Sequence, residues 1–332
     1  MLRVYRFRLK GLKKTDIALA LLIVSALTVS LLLLYTPVSS EEGVTAKLPE
    51  TFTKTIYYLN KSTTYLQRSI NGEDVEEIDI DVINNITNEL ERAVEIFEER
   101  KRLGNGALSS LDRELYYASI AYRDIAYSIN YIVDSTNYLE DEYYVMKDIL
   151  EKLIECRVDE ALSEYYKIRD QLIVVRDKLA KAYNIISNVS DNDLLSKDHV
   201  DAKYEALDRI ARAYNMVNEF IELMDSVDKN SDAVKNMCRY IHGQSSGLSS
   251  QDIGGLNQIA GSVDKNKLIN NPLGSEESEF ISMINSVLKD YMGRKNDNEG
   301  QNNIGRPFGP SPENPSNKPG SGAGYREAVE DD

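Results

Sequence analysis

Read in steps of three and four, the stretch from Leu111 to Leu153 carries Leu111, Leu115, Ala118, Tyr122, Ile125, Ile129, Ile132, Thr136, Leu139, Tyr143, Met146, Leu150 and Leu153. Thr136 alone interrupts the apolar seam, and a seam of that spacing is one edge of a long helix. A second stripe, Tyr116, Ile120, Tyr127, Tyr131, Tyr138, Val145 and Ile149, follows roughly the opposite side. The helix, spanning about residues 109–155, should therefore be packed on two faces and serve as a spine.

Shorter helices are expected around it. Leu48, Phe52, Ile56, Leu59, Thr63, Leu66 and Ile70 mark a first helix over 46–71, stopped at Asn71-Gly72 because glycine accepts the backbone of a helix end. Asp74, with Glu77 three residues on, is expected to cap a second helix over 74–103, with core edge Ile83, Ile86, Leu90, Val94 and Phe97. From Ala107 to His242 there is neither Gly nor Pro, which removes both strong breakers and argues against strands. Ser109 or Ser110 can cap the spine.

After Leu153 the seam changes phase and restarts as Val158, Ala161, Tyr165, Ile168, Leu172, Val175, Leu179, Ala182, Ile186 and Val189. The string from Leu153 to Leu162 resembles the tight turn between paired helices of helical-repeat proteins, with Asp159 as cap, so a hairpin and a fourth helix over 159–190 are expected. A polar loop from Ser190 to Lys197 leads to a fifth helix over 197–229, carrying Leu207, Ile210, Tyr214, Val217, Ile221 and Met224, and a sixth over 232–242. Residues 243–274 are Gly/Ser/Asn-rich and read as a long loop with one turn of helix around Ile253 to Ile259. Phe280, Ile284, Val287, Leu288 and Tyr291 mark a last amphipathic helix over 275–293, closed by Gly293, and 294–332 reads as a disordered tail. One internal echo appears: Leu179-Ala-Lys-Ala-Tyr-Asn-Ile-Ile in the fourth helix and Ile210-Ala-Arg-Ala-Tyr-Asn-Met-Val in the fifth. Two similar segments do not make a repeat array.

Charge changes the picture at the start of the chain. Met1 to Asp16 hold six Lys/Arg against one Asp, a local +5, so the formal −15 of the whole leaves −20 for the rest. Ile17 to Tyr35 follow with no charged residue, long enough as a helix to span a hydrocarbon core of ~30 Å. The basic flank comes first, which predicts residues 1–16 in the cytoplasm, a signal-anchor helix over 17–35 in the cell membrane, a linker over 36–44 and an extracytoplasmic body over 45–242. A cleaved signal peptide competes, with Val38-Ser39-Ser40 as small residues at the cleavage site. Lys10-Gly11, Asp16 and the apolar run behind them resemble the leader and acidic fifth position of type IV pilin-like proteins, which implies a filament subunit. Lys13 and Lys14 depart from that pattern, where such filaments are apolar. An acidic body excludes nucleic acid as the expected partner, since binding needs a basic face.

Lengths set the topology. The spine is too long for one partner, so the second helix should lie along its first half and the fourth and fifth along its second. The tyrosines Tyr116, Tyr127, Tyr131 and Tyr138 then either bury against the first two helices or stay partly exposed as an interaction stripe. The fourth helix leaves the Cys156 turn and the fifth returns by nearly the same length, which brings Cys238 back to the level of Cys156. The alternatives are a disulfide, as an exported body allows, or two buried thiols.

Little in the sequence suggests chemistry. His199 and His242 lack companions at metal-ligand spacing, and His199, in a helix's first turn, should be solvated. No Gly-rich phosphate loop, nucleophile elbow, Cys-x-x-Cys or His-Glu-x-x-His is present, so no catalytic, metal or cofactor residues are expected. Asp191-Asn192-Asp193 resembles the start of a calcium loop but lacks its Gly and terminal Glu, and reads as a locally capped loop. Asn60, Asn85 and Asn188 lie in Asn-x-Ser/Thr triplets, acceptors for glycosylation outside the cytoplasm. The fold class expected is all-α: an N-terminal transmembrane helix followed by an elongated antiparallel bundle on one central helix. The expected role is non-catalytic, a surface scaffold or an accessory subunit of an envelope complex with a protein partner. A ligand-sensing input module working with a separate transducer is the alternative, and a filament subunit the third.

Overall fold

The structure, a computed structural model, describes residues 39–263 and 271–301, with side chains over 45–263 and 271–292. The described residues form α-helices and no strands. The helices are α1 (Ser39–Ser69), α2 (Ile80–Leu103), α3 (Ser110–Ile154), α4 (Val158–Asn188), α5 (Lys197–Lys229), α6 (Ser231–Ile241), α7 (Ser250–Ser262) and α8 (Gly274–Gln301), with a 3₁₀ turn at Asp191–Asp193. The expected span Ile17–Tyr35, the basic segment before it and the tail from 302 on lie outside the described residues. Among the described residues no helix is long and apolar enough to cross a membrane. The chain divides into two units, Met1–Leu288 and Lys289–Asp332, and the helical bundle belongs to the first.

α3, about 67 Å long at 1.5 Å per residue, packs against α1, α2 and α4. Phe52 stacks on Tyr122 at 4.3 Å between centroids, and Tyr144 donates to the Gly72 carbonyl at 2.6 Å, so α1 runs parallel to α3. Tyr116 reaches Glu98 and Tyr127 reaches Glu91, so α2 runs back along the first half of α3. α4 returns along the second half. Contrary to expectation, α5 does not lie along α3 but on α4 and α1. Arg209 of α5 donates to Thr63 at 3.3 Å and Thr64 at 3.0 Å of α1, which fixes α5 beside α1.

The apolar spacing explains the core. Every seam residue anticipated in α1, α2 and α4 is buried. α1 also buries Thr55, Ser62 and Ser69 at seven-residue intervals. Buried hydroxyls need partners, and these donate to carbonyls three or four residues back, at 2.8, 3.0 and 3.0 Å. In α3 the seam is buried from Ala118 to Leu139 and again at Met146, Leu150 and Leu153, but Leu111 at the amino end is exposed.

Several boundaries differ from the sequence reading. α2 begins at Ile80 with Asp79 as cap, its carboxylate accepting from Asp81 N at 2.9 Å, and the Asp74/Glu77 box is not used. Residues 73–79 are strapped down in non-helical form: Arg68 donates to the Asp74 carbonyl at 2.6 Å, Val75 N donates to Glu140 at 3.2 Å, and Ile78 is buried. α1 starts at Ser39 and carries Pro49 within it. Arg157, not Asp159, is the cap residue of α4: Ala161 N already donates to the Arg157 carbonyl at 3.0 Å, and Asp159 lies in the first turn, paired with Lys235 at 2.5 Å.

The expected 243–274 loop holds a thirteen-residue helix, α7, where one turn was anticipated. Ser249 and Asp252 form a capping box, and Gly255 permits close packing: a Cβ there would lie 3.0 Å from Ala233 Cβ and 3.0 Å from Asn230 Oδ1. Glycine acts here as a contact residue, not a breaker. Gly293 likewise does not close α8, which continues to Gln301.

Candidate interaction face

Cys156 and Cys238 form a disulfide with Cα atoms 5.6 Å apart. Cys156 occupies the left-handed position after α3 (φ 64°), where Cys156 N reaches Leu153 O at 3.1 Å and Arg157 N reaches Lys152 O at 2.8 Å. This helix stop normally takes glycine. The bridge and the Lys235–Asp159 pair fasten α6 to the α3–α4 turn. Beside it lies a polar groove of about 490 Å³, lined by residues including Lys235, Asn236, Arg239 and Asp252. Its groups bond one another: Asn236 donates to Asp252 at 2.9 Å, and Arg239 to Asn236 at 3.3 Å.

His199 is half-buried instead of fully solvated. Its ring meets Tyr122 edge-on at 5.6 Å between centroids, Nδ1 bonds the Tyr122 hydroxyl, and burial lowers its pKa. Tyr122 is fully buried and also accepts from Leu195 N at 3.1 Å; burial pushes its phenol up to about 12. Asp191 belongs to a capped turn, as expected, and takes Lys203 at 2.7 Å and Tyr204 at 2.9 Å. Among the described residues no cluster of three or more His, Cys, Asp or Glu could hold a metal ion.

The spine tyrosines touch other groups of the chain without being buried: Tyr116, Tyr131 and Tyr138 are half-buried and Tyr127 is 38% exposed. Tyr116 and Tyr127 face α2, Lys181 of α4 lies 4.5 Å over the Tyr131 ring, and Tyr138 points to the Ile168 carbonyl at 3.5 Å. Their partners are thus α2 and α4, not α1 and α2. Of the glycosylation triplets, Asn85 and Asn188 are exposed. Asn60 is half-buried with Oδ1 enclosed, and the Ser62 of its triplet is fully buried.

The two echoed segments come together. α4 and α5 are antiparallel, fixed at one end by Arg169, which grips Asp225 through two bonds of 2.9 and 3.1 Å, and at the other by Tyr204 on Asp191. Tyr165 also donates to Asp225, at 2.6 Å. Burial alone would raise the Asp225 pKa, but Arg169 and Tyr165 outweigh it and the value is lowered. In this register the Ala-x-x-Tyr-Asn of one helix lies level with that of the other. Ala180, Tyr183, Asn184, Ala211, Tyr214 and Asn215 line a single groove of about 360 Å³.

Tyr214 is the exception in the α5 seam: it was expected in the core and is half-exposed in this groove. Its partner residue Tyr183 is 39% exposed, while Ala182 and Ala213 are buried behind the floor. Two rings, two amides and two small side chains can hold another surface, and no carboxylate or imidazole lines the groove to move a proton. The echo was the signal that could have located it; what was missing was the register that sets the copies opposite each other.

The class this defines is an all-α bundle on a long central helix with an uncharged aromatic groove between two of its helices. Compared with protein-family models, curated proteins and solved structures, the chain matches none.

Proposed function

We propose that the protein is a membrane-anchored, extracytoplasmic helical body with a non-catalytic role, a surface scaffold or accessory subunit that meets a protein partner through the outer face of α4 and α5. The observation that carries the reading is the Cys156–Cys238 bridge. Structural disulfides persist in oxidising compartments, and the bridge agrees with the basic flank and apolar run that precede the body. The interaction role is supported by Tyr183, Asn184 and their counterparts in a groove with no charged lining.

Anchoring is tested on intact cells with a membrane-impermeant protease and a thiol label applied before and after reduction. The body should be digested from outside, the chain should pellet with membranes after a carbonate wash, and Cys156 and Cys238 should label only after reduction. A body protected in intact cells and digested only after lysis overturns the reading.

A further inference from the structure

We propose that the outer face of α4 and α5, centred on the groove of Ala180, Tyr183, Asn184, Ala211, Tyr214 and Asn215, joins two copies of this chain about a two-fold axis. The inference rests on the reading of this face as an interaction surface and commits it to one occupant.

The first argument is symmetry. The echo extends to ten residues, 177–186 and 208–217: Asp, a base, Leu or Ile, Ala, a base, Ala, Tyr, Asn and two apolar residues in each. Set level on antiparallel helices, the two segments are related by a local dyad normal to the face. A two-fold contact between identical chains requires a self-complementary patch, because each residue pair is made twice. This patch offers both halves of such a contact, a small floor at Ala180 and Ala211 and aromatic rims at Tyr183 and Tyr214.

The second argument is charge. The chain after Asp16 carries −20, so two copies repel wherever acidic surface meets acidic surface. The groove lining is uncharged, and the flanking charges are matched within the chain. Arg176 pairs with Asp177 at 2.9 Å, Lys178 with Asp134 at 3.1 Å, and Arg212 with Asp208.

The third is size. Two helices of 31 and 33 residues offer a face of roughly 46 by 20 Å. That is on the order of the ~800 Å² per partner of a standard interface. Tyr166 and Tyr204, 54% exposed each, lie beyond the two ends of the groove; Tyr166 braces α4 to Asp228 of α5, and Tyr204 braces α5 to Asp191 in the turn after α4. Tyrosines so placed bring apolar area with a polar tip, the composition enriched at interfaces.

The test uses the full chain in nanodiscs and in its own membrane. Wild type should be dimeric at micromolar concentration. Ala180→Arg with Ala211→Arg, which sets two cations on the floor, should weaken the dimer at least tenfold with unchanged helical circular dichroism. Asn85→Arg, on the exposed side of α2, should leave it dimeric. A wild type that stays monomeric, or a floor variant as dimeric as wild type, overturns the proposal. A photo-crosslinking amino acid at Tyr183 in living cells separates it from the broader reading. A product at twice the 37.5 kDa chain supports the second copy. Crosslinks only to a different protein overturn the dimer and leave the interaction role standing, and no crosslink at all overturns both.

Discussion

Glu277 is a carboxyl group held from ionising. It is fully buried in the first turn of α8, Asn271 donates to it at 2.8 Å and to Glu219 of α5 at 3.1 Å, and burial and the facing Glu219 raise its pKa to about 8. Its protonated form belongs to the folded state. The stability it contributes is full below the ordinary value of 4.5 and is lost as the pH rises through about 8. Glu277→Gln, which keeps the acceptor for Asn271 and brings a permanent donor toward Glu219, should remove that dependence. It should stabilise the protein above pH 8 by about 2–4 kcal/mol, with no gain at pH 4.5. Urea melts across this range check it, and parallel curves for both proteins would refute the assignment. His199 acts in the opposite direction. Burial lowers its pKa, so its contribution is present above the ordinary value of 6.5 and is lost as the pH falls below it. Tyr122→Phe, which keeps the stack on Phe52 but removes the oxygen met by His199 and Leu195, should cost about 1–2 kcal/mol in the same melts.

Helix ends show how far the sequence could be read. Gly72 was legible as a stop, and it sits at φ 70° with Tyr143 so close that a Cβ would lie 2.5 Å from Cε1. Gly72→Ala should therefore cost about 2–3 kcal/mol in thermal melts, more than a strained turn in open space. Cys156 occupies the same kind of stop, and its left-handed backbone was hidden because a cysteine there advertises its sulfur. With the bridge removed the strain remains, so Cys156→Gly/Cys238→Ala should be more stable than Cys156→Ser/Cys238→Ala by about 1 kcal/mol; equal urea midpoints would show the backbone to be unstrained. The core seams of α1, α2 and α4 were legible residue by residue because a helix must bury one edge; that of α3 was not at its amino end, where Leu111 is exposed. α7 was not, since the Gly254-Gly255 that lowers helix propensity locally is offset by a contact with Asn230 and Ala233, far away in sequence. The Asp74 cap failed for a similar reason: the competing bonds come from Arg68 and Glu140. Tyr214 was misplaced because periodicity marks a face without saying what covers it.

At the scale of the whole molecule, the disulfide closes a separation of 82 residues, for which loop entropy gives about 4 kcal/mol. Reduction should lower stability by that order. In hydrogen exchange it should release α6 and α7 before α1 to α3, because α6 is tied to the α3–α4 turn by the bridge and the Lys235–Asp159 pair. Uniform loss of protection would show the body to be a single cooperative unit. The local dyad of the groove has a different consequence. A patch that reads the same after half a turn about its own normal has no polarity, so at its centre a neighbour pointing the same way and one pointing the opposite way make equivalent contacts. Direction is then chosen by whatever lies outside the patch. On the proposed anchor and the proposed dimer, two chains in one membrane would pair side by side, chains on facing membranes would pair end for end through the same six residues, and a surface that groups the protein within one membrane would also suit a bridge between two.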